Sequence, residues 1–316
     1  VKIQNAEFYH DENIIFRYDK ENSVINIYQK NSEARAYFLG GSLKDISINF
    51  TGLPDKMNVN LYNYPFDKSG LTGCLSFIDM NLQNVSIKSS DLNCEDSINL
   101  INTTGHINNI ELNNSYSDAL DIDYSNIKID KAYISKANND CIDLSSGRYE
   151  LGELNLSECG DKALSVGEKS FVKLKNFQVL QSKVGLSSKD SSITHIENAM
   201  YTEDVLLAIL RVPGSCLVSR NLLYLNTFSQ FDGLTLRMIW AYGFEEEDMS
   251  EVEGSAWMTP KEIERSLGKR QTKDVFDDLI YNRKTRREVL DFVIEASGCN
   301  EYSAEDYLRE IVKTKE

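Results

Sequence analysis

The sequence lacks the long apolar runs of a membrane-spanning protein. No apolar stretch of about 18 residues occurs, so we expect no transmembrane helix. The opening segment, VKIQNAEFYH, contains no basic region followed by an apolar one. We therefore also expect no signal peptide within this chain.

Basic residues are in short supply. Lys and Arg total 34 against 49 Asp and Glu, which gives a net charge of −15. Binding to a nucleic-acid backbone requires clustered Lys and Arg, so we expect neither nucleic acid nor a membrane surface as a partner. Cationic ligands, metal ions and neutral polymers remain compatible with this charge.

Cysteine and histidine patterns typical of metal sites are missing as well. The six cysteines are scattered without a CxxC pair, and the three histidines are far apart in the sequence. We therefore expect reduced thiols and no Cys-based zinc site.

What the sequence does contain is a repeat of 22 residues. Two columns of apolar residues have this period: Ile98, Leu120, Ile142, Leu164 and Leu186, and Leu100, Ile122, Leu144 and Val166. Two more follow it with one residue inserted before Leu174: Ile107, Ile129, Leu151, Leu174 and Ile196, and Ile110, Ala132, Leu154, Phe177 and Ala199. A period of this length indicates a solenoid, in which successive turns stack equivalent positions on one another.

Within each repeat, apolar and polar residues alternate, as in ALDIDYS (119–125) and CIDLSSG (141–147). Alternation with a period of two is typical of strands, and the Asn, Ser, Gly and Asp between the alternating stretches are turn residues. The sequence therefore predicts a mainly β protein, a parallel β-helix spanning residues 1–243. Its turns occupy 40–210, and residues 1–39 form irregular entry strands.

Six segments resemble successive turns of right-handed β-helix repeat proteins in the pectate-lyase-like superfamily. They are TGCLSF, CEDSINLI, SDALDIDYS, NDCIDLSSG, GDKALSVGEKS and VGLSSKDSS, and they cover roughly residues 70–200. A bacterial subgroup, often found beside spore-coat-type kinase domains, is similar in the order of these segments. The resemblance implies a right-handed coil in a bacterial protein that is either cytoplasmic or a domain of a larger exported one.

The same resemblance implies no single activity. The superfamily includes lyases, glycoside hydrolases, epimerases and non-catalytic fibres. NDCIDLSSG also resembles the DDCI…SG segment of polygalacturonases, but where those enzymes have a Gly-His pair this chain has Asp161 and Lys162. Direct transfer of their mechanism is therefore not supported.

The composition changes after residue 243. Residues 244–255 are strongly acidic and predict a linker. Residues 256–316 carry apolar residues at helical spacing, with capping signals at Thr259 and Ser303. They predict a small α-helical bundle that caps the coil or forms a homodimer.

The candidate site is a group of acidic side chains on two neighbouring turns. If Leu120 and Ile122 point inward, Asp121 and Asp123 point outward, and Asp143 lies beside Asp121 one turn later. A column of small residues next to these acids predicts the floor of a shallow groove for a chain-like ligand: Ser97, Ala119, Cys141, Ala163 and Gly185. The nearby cations are Lys162 and Lys189.

Three functions are compatible with these acids. Asp123 and Asp143, roughly 8 Å apart on an ideal sheet, suit an inverting glycoside hydrolase. Ca²⁺ bound by Asp121 and Asp143, with Lys162 or Lys189 as the base, suits a polysaccharide lyase or epimerase. In the third, the acids only solubilise a non-catalytic scaffold or surface-binding module. We expect a carbohydrate polymer as the ligand and leave enzymatic activity open.

Overall fold

The computed structural model describes the backbone of residues 1–54, 66–67, 70–202, 205–211, 216–225 and 239–240, and side chains up to residue 200. This part of the chain contains twenty strands and no α-helix. The linker expected at 244–255 and the helices expected at 256–316 lie outside the described residues.

The strands are numbered in chain order. They are β1 (Lys2–Ile3), β2 (Ala6–His10), β3 (Ile14–Asp19), β4 (Val24–Gln29), β5 (Ala36–Leu39), β6 (Ser42–Lys44), β7 (Ser47–Thr51), β8 (Gly73–Ile78), β9 (Asn81–Leu92), β10 (Asp96–Ile101), β11 (Thr104–Ser115), β12 (Asp118–Asp123), β13 (Asn126–Ala137), β14 (Ile142–Ser145), β15 (Arg148–Gly167), β16 (Phe171–Ser188), β17 (Ile193–Thr202), β18 (Val205–Arg211), β19 (Cys216–Leu225) and β20 (Ile239–Trp240).

These strands form a parallel β-solenoid of about seven turns, which confirms the predicted coil. Each turn contributes a short and a long strand. The short-strand sheet contains β8, β10, β12, β14 and the C-terminal parts of β15 and β16. The long-strand sheet contains β7, β9, β11, β13 and the N-terminal parts of β15 and β16.

The entry strands differ from the coil because several of them pair antiparallel. The pairs β1–β2, β2–β5 and β3–β4 are antiparallel, whereas β4–β7 and β5–β8 are parallel and lead into the turns. The ring of Phe38 lies 4.7 Å from that of Phe8 and 5.3 Å from that of Phe77. The aromatic contacts therefore continue the core from the entry strands into the first turn.

The apolar columns fill the interior as predicted. The strand register pairs Ile98 with Leu120, Leu120 with Ile142 and Ile142 with Leu164, and all four side chains are buried. The columns that begin at Ile107 and Ile110 line the interior from the long strands. Identical positions thus stack along the axis at roughly 4.8 Å per turn.

Two corners of the coil carry a residue with a left-handed backbone in almost every turn. After the short strands these residues are Asp79, Asn102, Tyr124, Ser146, Glu168 and Asp190, and towards the end of the long-strand stretches they are Asp91, Asn114, Lys136, Glu158 and Gln181. A positive φ bends the chain sharply at one residue, which a regular strand does not permit. The 22-residue period therefore includes two fixed corner positions.

The expectation of reduced thiols is wrong for four of the six cysteines. Cys74 is bonded to Cys94, and Cys141 is bonded to Cys159. These partners are 18 to 20 residues apart, and only the corners of the coil bring them together. Their spacing therefore gave no CxxC-like signal in the sequence.

Candidate functional site

The predicted acidic column exists. Asp121 pairs in register with Asn99 on one side and with Asp143 on the other. The column continues through Ser165 and Ser187. Asp121, Asp123 and Asp143 are half-buried, so the structure brings the three sequence-predicted acids together on the outer face of the short-strand sheet.

This outer face is not an open groove, because most of its central column is buried. Asn99 is 1% exposed, and Ser76, Ser165 and Ser187 are fully buried. Five buried oxygens of the column make no hydrogen bond within the described residues: Ser76 Oγ, Asn99 Oδ1, Asp143 Oδ1, Ser165 Oγ and Ser187 Oγ.

The predicted groove floor is also wrong. Ala119 and Cys141 have no exposed surface, and the Cys141 side chain points inward to Cys159. The reason is a break in the strand alternation. The N–H groups of Ala119 and Leu120 both donate to the next turn, at 3.0 and 3.2 Å, whereas successive N–H groups of a regular strand point opposite ways. Both side chains therefore face the interior.

Asn99 holds two of the acids together. Its Nδ2 donates to Asp121 Oδ2 at 2.8 Å and to Asp123 Oδ2 at 3.3 Å. Burial raises the pKa of Asp121 to about 10, and the negative charges of Asp96 and Asp123 act in the same direction. Burial also raises the pKa of Asp123, partly offset by the hydrogen bond from Asn99. Asp121 is accordingly a protonated acid at neutral pH.

A second acidic column lies beside the first and has a structural role. Asp118 Oδ1 accepts the backbone N–H of Asp140 at 2.7 Å, and Asp140 Oδ1 accepts the backbone N–H of Lys162 at 2.8 Å. Burial raises the pKa of Asp118 to about 6, and those of Asp140 and Asp96 to about 7. Each bond joins a carboxylate to the backbone of the following turn.

The surroundings of the two lysines proposed as bases do not match that role. Lys162 is buried, and its ammonium lies 2.6 Å from Asp161 and 3.6 Å from Asp140. Both contacts are with carboxylates, so the ammonium is engaged in ion pairs rather than exposed at the acidic face. The side chain of Lys189 extends over Gly167, which lies one turn beyond Ser145 and two turns beyond Asp123.

Ca²⁺ binding by Asp121 and Asp143 gains no support from the geometry. In the part of the chain that the structure describes, no group of three or more His, Cys, Asp or Glu residues is arranged to hold a metal ion. We derive no chemistry from a metal at this face.

The structure has an open groove elsewhere, on the outer face of the long-strand sheet. It has a volume of about 670 Å³ and crosses β7, β9, β11, β13, β15 and β16. None of the three sequence-predicted aspartates lines it. We call it the long-strand groove.

Two outward columns line the long-strand groove. The first contains Lys88, Glu111, Tyr133, Asn155 and Gln178, and the second contains Ser90, Asn113, Ser135, Ser157 and Leu180. These residues also follow the 22-residue repeat of the sequence. Polar outward columns occur on every face of a solenoid, however, so the sequence alone does not show which face is concave.

Hydrogen bonds hold several of these side chains in place. Lys88 Nζ lies 2.7 Å from Glu111 Oε2, and this hydrogen bond lowers the pKa of Glu111. The Ser135 hydroxyl donates to Asn113 Oδ1 at 2.8 Å. Tyr133 donates to a carboxylate oxygen of Glu153 at 3.2 Å. The groove wall is thus a set of oriented hydroxyl and amide groups.

Comparisons with known protein families, with curated proteins and with solved structures found no match. Among the residues that the structure describes, no helix is long and apolar enough to cross a membrane. The coil and its two outer faces are therefore the basis for assigning a function.

Proposed function

We propose that this protein binds a neutral polysaccharide along the long-strand groove, as a non-catalytic binding module. The observation that supports this most is the groove itself, an open channel of about 670 Å³ lined by hydroxyl and amide side chains in register. These groups both donate and accept hydrogen bonds, as the hydroxyls of a sugar require.

The charge of the groove favours a neutral ligand. The chain carries a net charge of −15, yet the two charged residues in the described part of the lining, Lys88 and Glu111, form an ion pair with each other. A polyanion or a polycation would find no net countercharge there. A neutral polymer is bound without desolvating an unpaired charge.

Two exposed apolar groups complement the polar lining. Tyr133 is 38% exposed and Leu180 is 37% exposed. An amphipathic ring such as that of Tyr133 offers apolar contact area at low entropic cost. Because its hydroxyl is bonded to Glu153, the ring is held in one orientation, ready to cover the C–H face of a sugar.

The shape of the groove favours a chain over a single sugar. It crosses six strands, and five strand spacings amount to roughly 24 Å. Affinity should therefore rise with oligosaccharide length until the groove is filled, and monosaccharides should bind weakly.

The lining favours binding over cleavage. Among the lining residues that the structure describes, Glu111 is the one carboxylate, and the lysine beside it lowers its pKa, which disfavours a role as general acid. Polymer processing by Asp121, Asp123 and Asp143 is a weaker proposal because their face is largely buried.

Calorimetric titration with neutral and charged polysaccharides tests this function. We expect binding of at least one neutral polymer, and Tyr133→Ala should weaken it about tenfold, on the order of 1.4 kcal/mol. Gln178→Ala should weaken it as well. Asn198→Ala, an exposed change on β17 outside the lining, is the matched control and should bind normally.

Each other outcome points to a different function. A folded protein that binds none of the polymers would favour the non-catalytic scaffold. Binding that survives both groove variants but is lost in Asp121→Asn would move the site to the acidic face.

A further inference from the structure

Both disulfides lie at the same inner corner of the coil. Cys74 and Cys141 occupy the same register position at the start of a short strand, three turns apart. Their partners belong to the long strand of the same turn: Cys159 lies within β15 in register with Ala137, Ser115 and Leu92, and Cys94 lies two residues beyond Leu92. Each bond therefore closes one complete turn of the solenoid.

The turns between the two disulfides close this corner without a covalent bond. Ser97 and Ser115 are 18 residues apart, as Cys141 and Cys159 are, and their hydroxyls form a hydrogen bond of 2.8 Å. One turn later the equivalent residues are Ala119 and Ala137, both buried. The corner thus holds a cystine, a hydroxyl pair, an alanine pair and a second cystine in succession.

The two cystines have ordinary backbone spacing and are buried. The Cα–Cα distances are 5.4 Å for Cys74–Cys94 and 5.5 Å for Cys141–Cys159, in the middle of the usual range. All four cysteines are at most 3% exposed. Once the coil has formed, neither an oxidant nor a reductant reaches these sulfur atoms without opening a turn.

We infer that the protein matures and works in an oxidising compartment, with both cystines formed while the turns close. In each case the two cysteine thiols form a disulfide and release two protons and two electrons. The disulfide of an exchange protein accepts them and is reduced to two thiols. Stable cystines are rare where thiols are kept reduced. Two independent pairs, both built into a structural corner, therefore indicate an exported or surface-located protein. This inference is independent of the polysaccharide proposal.

Differential alkylation of the full chain tests the compartment. Cells that make the protein naturally are quenched in acid, free thiols are blocked with one reagent, and cystines are then reduced and labelled with a second. We expect the second label on Cys74, Cys94, Cys141 and Cys159, and cross-linked peptides with the two pairings above. The first label on these four residues would overturn the inference.

The purified chain provides an independent test of the two bonds. Reductant should act slowly on the native protein and quickly in denaturant, because the cystines are buried. The double variant Cys141→Ala with Cys159→Ala reproduces the alanine pair of the preceding turn, so it should fold. We expect its Tm to fall by roughly 6–12 °C, given a closed loop of this size. An unchanged Tm would show that the second cystine is not formed.

Discussion

At the scale of single residues, the carboxyl groups of the short-strand sheet are held in two ways. Asp118 and Asp140 accept a backbone N–H from the next turn, whereas Asp121 and Asp123 share the amide of Asn99. All four are desolvated, which makes the ionised form costly. Each therefore retains its proton to a higher pH in the folded chain than in the unfolded one.

The stability of the coil should consequently fall as pH rises. Asp118 and Asp140 titrate near 3.8 when unfolded and at about 6 and about 7 when folded. At pH values between the unfolded and the folded pKa, the folded state binds more protons than the unfolded state. The free energy of unfolding therefore decreases with increasing pH. Thermal melting from pH 4 to pH 8 should show Tm highest at the acidic end of this range.

The variant Asp121→Asn tests whether this face causes the effect. It replaces a protonated acid with a neutral group of the same shape, so it should raise Tm at pH 8 and flatten the pH profile. Glu33→Gln, which neutralises an exposed acid, is the matched control and should leave the slope unchanged. A Tm that rises with pH in the parent protein would contradict the assignment.

At the scale of elements, the corners explain why the strands have fixed lengths. Asn114, Lys136 and Glu158 occupy the same corner in successive turns, with φ values of 62°, 60° and 55°. Asn adopts this left-handed conformation more readily than Lys or Glu, because its short side chain bonds locally. The corner is thus specified by position in the turn rather than by a glycine.

Lys136→Asn should therefore stabilise the protein by up to about 1 kcal/mol. The gain comes from relief of backbone strain and is measured as an increase in Tm. Lys175→Asn, an exposed change within β16, should give no gain because Asn is unfavourable in an extended strand. Equal effects of the two changes would show that the corner is not strained.

The buried apolar column of the short strands is where an introduced charge should lower stability most. Ile142 is fully buried between Leu120 and Leu164. Ile142→Asp should cost several kcal/mol and abolish the β circular dichroism signal, since it buries an unpaired charge. Ile142→Val, which removes one methyl group, should cost only about 0.5–1.5 kcal/mol. A folded Ile142→Asp variant would place this residue outside the core.

At the scale of the whole molecule, the period of 22 residues was sufficient to predict the coil, its inward columns and the pairing of Asp121 with Asp143. It was not sufficient at the corners. The inward position of Cys141 depends on a local break in alternation, and its pairing with Cys159 depends on where the long strand of the same turn passes. The groove beside Tyr133 likewise could not be located from residue types alone, because polar outward columns occur on every face of a solenoid.

The two outer faces therefore have different properties. The short-strand face concentrates desolvated acids that hold successive turns together, and the long-strand face presents a neutral groove with oriented hydroxyl and amide groups. The first determines how stability depends on pH, and the second is the surface on which we place the ligand.

A crystal structure of the protein with a bound neutral oligosaccharide tests the central claim most directly. We predict a sugar chain lying along the solenoid axis in the long-strand groove, with one ring over Tyr133 and hydroxyls bonded to Asn155 and Gln178. A sugar chain bound instead over Asp121 and Asp143 would contradict it.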